Sequence, residues 1–197
     1  MPDFVLKAHA APVDPGLFAS SVNQGGRVEF LAQCVLNALF LSKGHREDVK
    51  LHLVLESSKD YSRTLTLDGA GLGTIAGLDE TSILNSLRQA LSEGARLAKG
   101  EGLEAQNGIR VACISFEALL KQFSGRPFLL LDLKGTDIRD TSLPEDAVYI
   151  LTDHVPMNRN TTKHLVRLGA EKVSLGPFML HASQCITVIH NEIDRQA

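Results

Sequence analysis

The chain has 197 residues, 44% of them hydrophobic and 22% charged, enough for one domain with a full apolar core. A formal net charge of −3 excludes a surface coated in positive charge for nucleic acid, while leaving room for a local basic patch. No apolar run approaches the ~20 residues of a membrane span. The start, MPDFVLKAHAAP, has no basic stretch leading into an apolar segment, so a cytoplasmic protein without a signal peptide is expected.

In chain order, DFVLKAH (3–9) reads as a first strand and PVDPGLFASSVNQGG (12–26) as a turn-rich loop. A helix is expected from Arg27 to Ser42, with 11 of the 14 residues from Val28 to Leu41 apolar. A helix so apolar is buried on more than one face, either inside the domain or against a second subunit. VKLHLVLE (49–56) alternates like a strand, and RTLTLDG (63–69) is expected to pair with it. Residues 78–100 carry Ile83, Leu84, Leu87, Ala90, Leu91 and Ala98 at helical spacing, with Asp79, Thr81 or Ser82 as the cap.

After the polar stretch EGLEAQNG come a strand IRVACI (109–114), a short helix SFEALLKQF (115–123) and an apolar strand PFLLLDL (127–133). A further apolar strand AVYILTD (147–153) precedes the helix TTKHLVRLG (161–169), which ends on a C′ glycine, Gly169. EKVSL (171–175) is a short strand, and a last helix begins near Leu180. Apolar strands alternating with helices indicate an α/β fold: a largely parallel sheet with helices on both faces, in one domain spanning 1–197.

Several motifs are excluded. Cys34, Cys113 and Cys185 form no CxxC pair and lie in apolar stretches, so each reads as a small buried hydrophobe. There is no G-x-S-x-G and no H-E-x-x-H, and the histidines have no metal-ligand spacing; no metal is expected. LTLDGAGLGT (65–74) looks like a dinucleotide loop, but the following helix starts late, near Glu80, so no helix N-terminus faces the glycines.

Two places suggest chemistry. Asp153 and His154 follow an apolar strand, where ligands bind in open parallel sheets, and an acid beside a histidine suits proton transfer. The turn SLGPFML (174–180) cannot be helical at Pro177 and offers free main-chain groups beside apolar side chains, a surface for a flat ligand with polar edges such as adenine.

The stretch from Tyr149 to Asp194 resembles the archaeal tRNA pseudouridine N1-methyltransferase family and its bacterial relatives, within the SPOUT (α/β-knot) superfamily. The carrying residues are TDHV (152–155), KVSLGPFMLHASQCITVIHNEID (172–194), GRVEFLAQCVLNALFLSKGHREDV (26–49) and LDLKGTDI (131–138). The match is weakest over 57–108. It implies a C-terminal deep trefoil knot, a homodimer formed through the knot region, S-adenosylmethionine as cofactor and RNA, such as tRNA, as substrate.

By position, the resemblance implies cofactor contacts from Leu131, Leu133, Thr152, Ser174, Leu175, Gly176, Pro177, Phe178, Met179, Leu180 and Cys185. Asp153 or His154 would assist removal of the pseudouridine N1 proton. Arg27, Lys43, Arg46, Arg159 and Lys163, basic groups beside the matched segments, are the expected phosphate contacts. Archaeal members carry glycine where Thr152 stands and a glycine-bearing loop where VPMN (155–158) stands, so the RNA chosen is open. Two alternatives are a knotted dimer that binds RNA or a partner without catalysis, and a Rossmann-type methyltransferase using the glycines at 68–73.

Overall fold

The structure is a computed structural model that describes residues 1–24, 28–58, 60–73, 75 and 77–196. Its elements are β1 (Asp3–Pro12), α1 (Pro15–Ser20), α2 (Glu29–Leu39), β2 (Phe40–Leu41), β3 (Gly44–His45), β4 (Lys50–Ser57), β5 (Arg63–Asp68), α3 (Glu80–Glu93), β6 (Gly102–Glu104) and β7 (Arg110–Ala112). The second half continues with α4 (Phe116–Gln122), β8 (Phe128–Asp137), β9 (Val148–Thr152), α5 (Arg159–Arg167), β10 (Glu171–Ser174) and α6 (Ala182–Gln196).

One sheet of eight strands runs in the order β10-β8-β9-β1-β4-β5-β7-β6. The five strands from β10 to β4 are parallel, and the remaining three pairings are antiparallel. β1, buried except at His9 and Ala10, lies near the middle, between β4 and β9, as apolar side chains on both its faces require. Alternation along the strands sends Phe4, Leu6, Leu53, Tyr149 and Leu129 into one core, shared with residues of α1, α2, α3 and α6. Val5, Val54, Ile150 and Leu130 enter a second core under α4 and α5, with Phe116, Leu120 and Leu165. Helices thus cover both faces, as the strand-helix alternation implies.

Local chemistry explains the element ends. Asp79 caps α3 by accepting from the Ser82 N–H at 3.0 Å, and Gly169 has φ 89° just after α5, where a β-carbon would be strained. His181 precedes α6, and the Gln184 side chain reaches back to its N–H at 2.9 Å, one half of a capping box. α2 packs between α3 and α6. Its contact with α6 is fastened by Asn37 Nδ2 donating to Ser183 O (3.2 Å) and by His190 Nε2 on Ala38 O (3.0 Å).

Several segments differ from the expected elements, among them the helix expected over 78–100, which ends at Glu93. The loop 12–26 contains α1, begun by Asp14 as cap and Pro15 in the first turn. The helix expected to reach Ser42 stops at Leu39, because the chain turns into the β2-β3 hairpin. The polar stretch before 109 supplies β6, a short edge strand held by β7. Gly69 and Gly73 serve backbone packing, while Gly71 faces open space: a β-carbon on Gly69 would lie 1.9 Å from Arg46 O, and one on Gly73 2.2 Å from Asn107 O. They follow the antiparallel strand β5, so the Rossmann alternative loses its structural basis.

Candidate active site

The parallel strands bring their carboxyl ends together, and a polar cluster forms where β1, β4 and β9 end. Lys7 Nζ lies 2.5 Å from Glu56 Oε1 and 4.8 Å from the centroid of the Phe116 ring. His9, two residues on and therefore on the same strand face, lies between two carboxylates. Its Nδ1 is 3.3 Å from Asp153 Oδ1, and its Nε2 is 3.8 Å from Glu56 Oε2. The Asp153 side chain is fully enclosed, and its oxygens also accept from the N–H groups of Ala10 (3.2 Å) and Val155 (2.9 Å). Thr152 Oγ1 donates to Val155 O at 2.8 Å, which closes the turn after β9. His154, the other residue expected to act on a proton, is exposed.

Lys7, His9 and Glu56 were not among the residues singled out from the sequence. Their signal was present: polar side chains interrupt two buried strands at the ends where parallel sheets bind ligands.

Beside this cluster, the carboxyl ends of β8 and β10 carry the remaining expected site residues. Leu131 and Leu175 pack at the margin of the core together with Cys185 and Ala182 of α6. Leu133, Phe178 and Met179 are exposed, the last two at 79% and 81%. After β10, Ser174 Oγ accepts from the Gly176 N–H at 3.3 Å, and Gly176 turns the chain with φ 117°. Pro177 has no N–H, and the N–H groups of Leu175, Phe178, Met179 and Leu180 make no hydrogen bond among the described residues. The result is an apolar ledge lined with free donors. Cys185 Sγ lies 3.9 Å from Leu180 O, and burial pushes this thiol up to about 11.

Of the expected phosphate contacts, Lys43 is exposed in the β2-β3 turn, and Arg159 and Lys163 lie exposed one turn apart on α5. Arg167 is exposed a further turn along, so i, i+4, i+8 spacing gives one basic stripe leading away from the turn after β9. Arg46 is held by Asp194 of α6 through two contacts, at 2.9 and 2.5 Å, and is not a free cation. Arg27 lies outside the described residues. Among the described residues no group of three metal-ligating side chains occurs, and no helix is long and apolar enough to cross a membrane.

This chain is similar to known proteins along its whole length. A family profile described as "Putative SAM-dependent RNA methyltransferase" matches residues 1–197. A Vibrio cholerae protein named "Putative pseudouridine methyltransferase" is 43% identical over 197 residues, covering 100% of this chain and 98% of the relative. A Vibrio atlanticus protein of the same name is 41% identical over 195 residues, covering 98% of each. Among solved structures, Archaeoglobus fulgidus Nep1 bound to S-adenosylhomocysteine superposes with a TM-score of 0.64 at 16% identity, covering 98% of this chain and 97% of that one, a likeness of fold. Sequence match, strand order and a donor-lined ledge at the carboxyl ends of the strands agree: the chain belongs to the family of S-adenosylmethionine-dependent RNA methyltransferases.

Proposed function

We propose that this protein transfers a methyl group from S-adenosylmethionine to N1 of a pseudouridine in a structured RNA such as tRNA. The observation that carries the reading is the 175–180 ledge, whose unpaired N–H groups lie between core-margin Leu131 and half-buried Cys185. Peptide donors next to apolar side chains fit a nucleoside, whose flat base has polar edges. Leu131, Leu133, Thr152, Ser174 to Leu180 and Cys185 are the residues that would hold the cofactor. Bound there, S-adenosylmethionine would supply an electrophilic methyl on a positively charged sulfur. The protein's part is then to orient the base, exclude water and receive the N1 proton on the Asp153 side of the site. The names of the Vibrio relatives support pseudouridine as the target.

The same reading includes one domain over 1–197, a C-terminal trefoil knot, a homodimer and a cytoplasmic location. In support of the knot, β10 pairs first with Leu129 and Leu130, then jumps to Thr136 and Asp137 of the same strand. The intervening stretch of β8 crosses so closely that a β-carbon on Gly135 would lie 2.5 Å from the Lys172–Val173 peptide. In support of the homodimer, Phe178 and Met179 present a large apolar surface beside the site. Arg159 and Lys163, with Lys43, are proposed as phosphate contacts, and an unpaired loop in the RNA would present the base splayed out.

Isothermal titration with S-adenosylmethionine, followed by nucleoside mass spectrometry of tRNA treated with the protein, tests the reading. Saturable heat and N1-methylpseudouridine are expected. Saturable heat with no methylated nucleoside would return the non-catalytic binding protein to first place, and no heat at millimolar ligand would remove the cofactor site.

A further inference from the structure

The methyl acceptor carries a proton on N1 that must leave, and Asp153 does not itself provide an open base. The Asp153 side chain is wholly enclosed, and its oxygens are taken by His9 and two backbone N–H groups. His9 differs: its side chain is 20% exposed, its Nδ1 faces Asp153, and its Nε2 makes no hydrogen bond among the described residues.

We infer that His9 is the proton acceptor of the reaction, with Asp153, Glu56 and Lys7 as positioning residues; this rests on the methyl-transfer reading above. Three observations support it. First, Nδ1 lies 3.3 Å from Asp153 Oδ1 and 3.4 Å from Thr152 Oγ1, whose own proton goes to Val155 O, so both select the tautomer with a proton on Nδ1 and leave the Nε2 lone pair free. Second, Asp153 stabilises the imidazolium that forms, the role a buried carboxylate plays behind any histidine base. Third, Lys7 at 2.5 Å from Glu56 neutralises the second carboxylate, which lies 3.8 Å from Nε2. The ring therefore faces one net negative charge, from Asp153.

The charged groups facing the ring are thus Lys7 from β1, Glu56 from β4 and Asp153 after β9, and the α4 side adds the Phe116 ring over Lys7. In the step itself, the bond from N1 to the methyl carbon forms as the methyl–sulfur bond breaks, with its electron pair left on sulfur. The N1 proton ends on His9 Nε2, so the positive charge that began on sulfur finishes on the imidazolium and passes to water on product release.

Two experiments test this. Nitrogen-15 NMR of histidine-labelled protein without ligand reads the tautomer directly. A protonated Nδ1 and bare Nε2 on His9 are expected, with the preference lost in Asp153→Asn; an Nε2–H tautomer overturns the proposal. Single-turnover methyl transfer to a pseudouridine-containing RNA hairpin is then followed from pH 5.5 to 9, with S-adenosylmethionine affinity measured in parallel. His9→Gln should cut the rate roughly 100-fold or more and remove the acid limb, with cofactor affinity unchanged. A rate within about threefold of the parent, or an acid limb that persists, overturns it. If the parent protein binds cofactor but methylates no pseudouridine, the functional reading falls and the inference with it; loss confined to His9→Gln cannot be confused with that result.

Discussion

The two ends of the parallel strands each carry a histidine beside a carboxylate and a basic side chain, yet they are built for opposite ends. At the amino end, His52 has both nitrogens occupied, Nε2 on Asp3 at 2.7 Å and Nδ1 on Thr66 Oγ1 at 2.9 Å. Arg126 closes the network by meeting the other Asp3 oxygen at 2.5 Å while its side chain lies over the Phe123 ring. Burial alone would raise the Asp3 carboxyl, but His52 and Arg126 outweigh it and hold it below its usual range. At the carboxyl end, His9 has only long contacts on Nδ1, to Asp153 Oδ1 at 3.3 Å and Thr152 Oγ1 at 3.4 Å, and no hydrogen bond on Nε2 among the described residues. A satisfied network holds strands together, and an unsatisfied one at the ligand end is available for chemistry.

Removing the central acid of the closed network should have the largest effect on stability. Asp3→Ala leaves buried His52 and half-buried Arg126 without their carboxylate and is expected to cost about 3–5 kcal/mol in urea unfolding. The proton-transfer step in the folded fraction should be unchanged. A cost as small as that of a surface pair would mean the amino end is no more closed than the carboxyl end.

A third histidine sharpens the comparison through pH. His190 is buried against α2, and desolvation, helped by the Arg46 charge, lowers it to about 4. It is therefore neutral in the fold, donating from Nε2 to Ala38 O. Between its ordinary value of 6.5 and about 4, the unfolded chain takes up a proton that the folded chain refuses. Stability should thus be fully present above pH 6.5 and fall as pH drops through that window, by about 3 kcal/mol from this group. His190→Gln, compared in urea at each pH, should flatten the slope there.

Between the two ends, the Tyr149 hydroxyl is buried without a hydrogen-bond partner among the described residues, and burial pushes it up to about 12. Tyr149→Phe keeps the stacking on Phe4 (ring centroids 5.2 Å apart) and should raise stability by about 1 kcal/mol in thermal unfolding. The smallest stability change is expected at the active end. His9→Gln should alter unfolding by less than about 1 kcal/mol, because its contact is long and partly solvated. A large loss there would place His9 with His52 as a structural residue.

The sequence made the parallel half of the sheet legible because DFVLKAH, PFLLLDL and AVYILTD are short, mainly apolar runs, each matching a central strand. It also showed the 174–180 turn, since Gly176 and Pro177 exclude a helix. It hid α1, whose six residues carry too little periodicity, although Asp14-Pro15 spells a start signal. It hid the cluster around His9 for a different reason. Glu56 and Asp153 reach His9 across 47 and 144 positions, and only the register of β1 against β4 and β9 makes them neighbours. Arg46 shows the converse: its sequence neighbours suggested a free cation, and the fold pairs it with Asp194, 148 residues away.

Cys185 shows a different kind of design pressure. A thiolate next to a sulfonium would be the best nucleophile in the pocket and would alkylate itself in place of the RNA. With its thiol at about 11, only about one molecule in 10⁴ carries the anion at pH 7. Under the proposed placement, the apolar seat of the last helix is what lets a soft sulfur line a methyl donor's pocket without becoming its target.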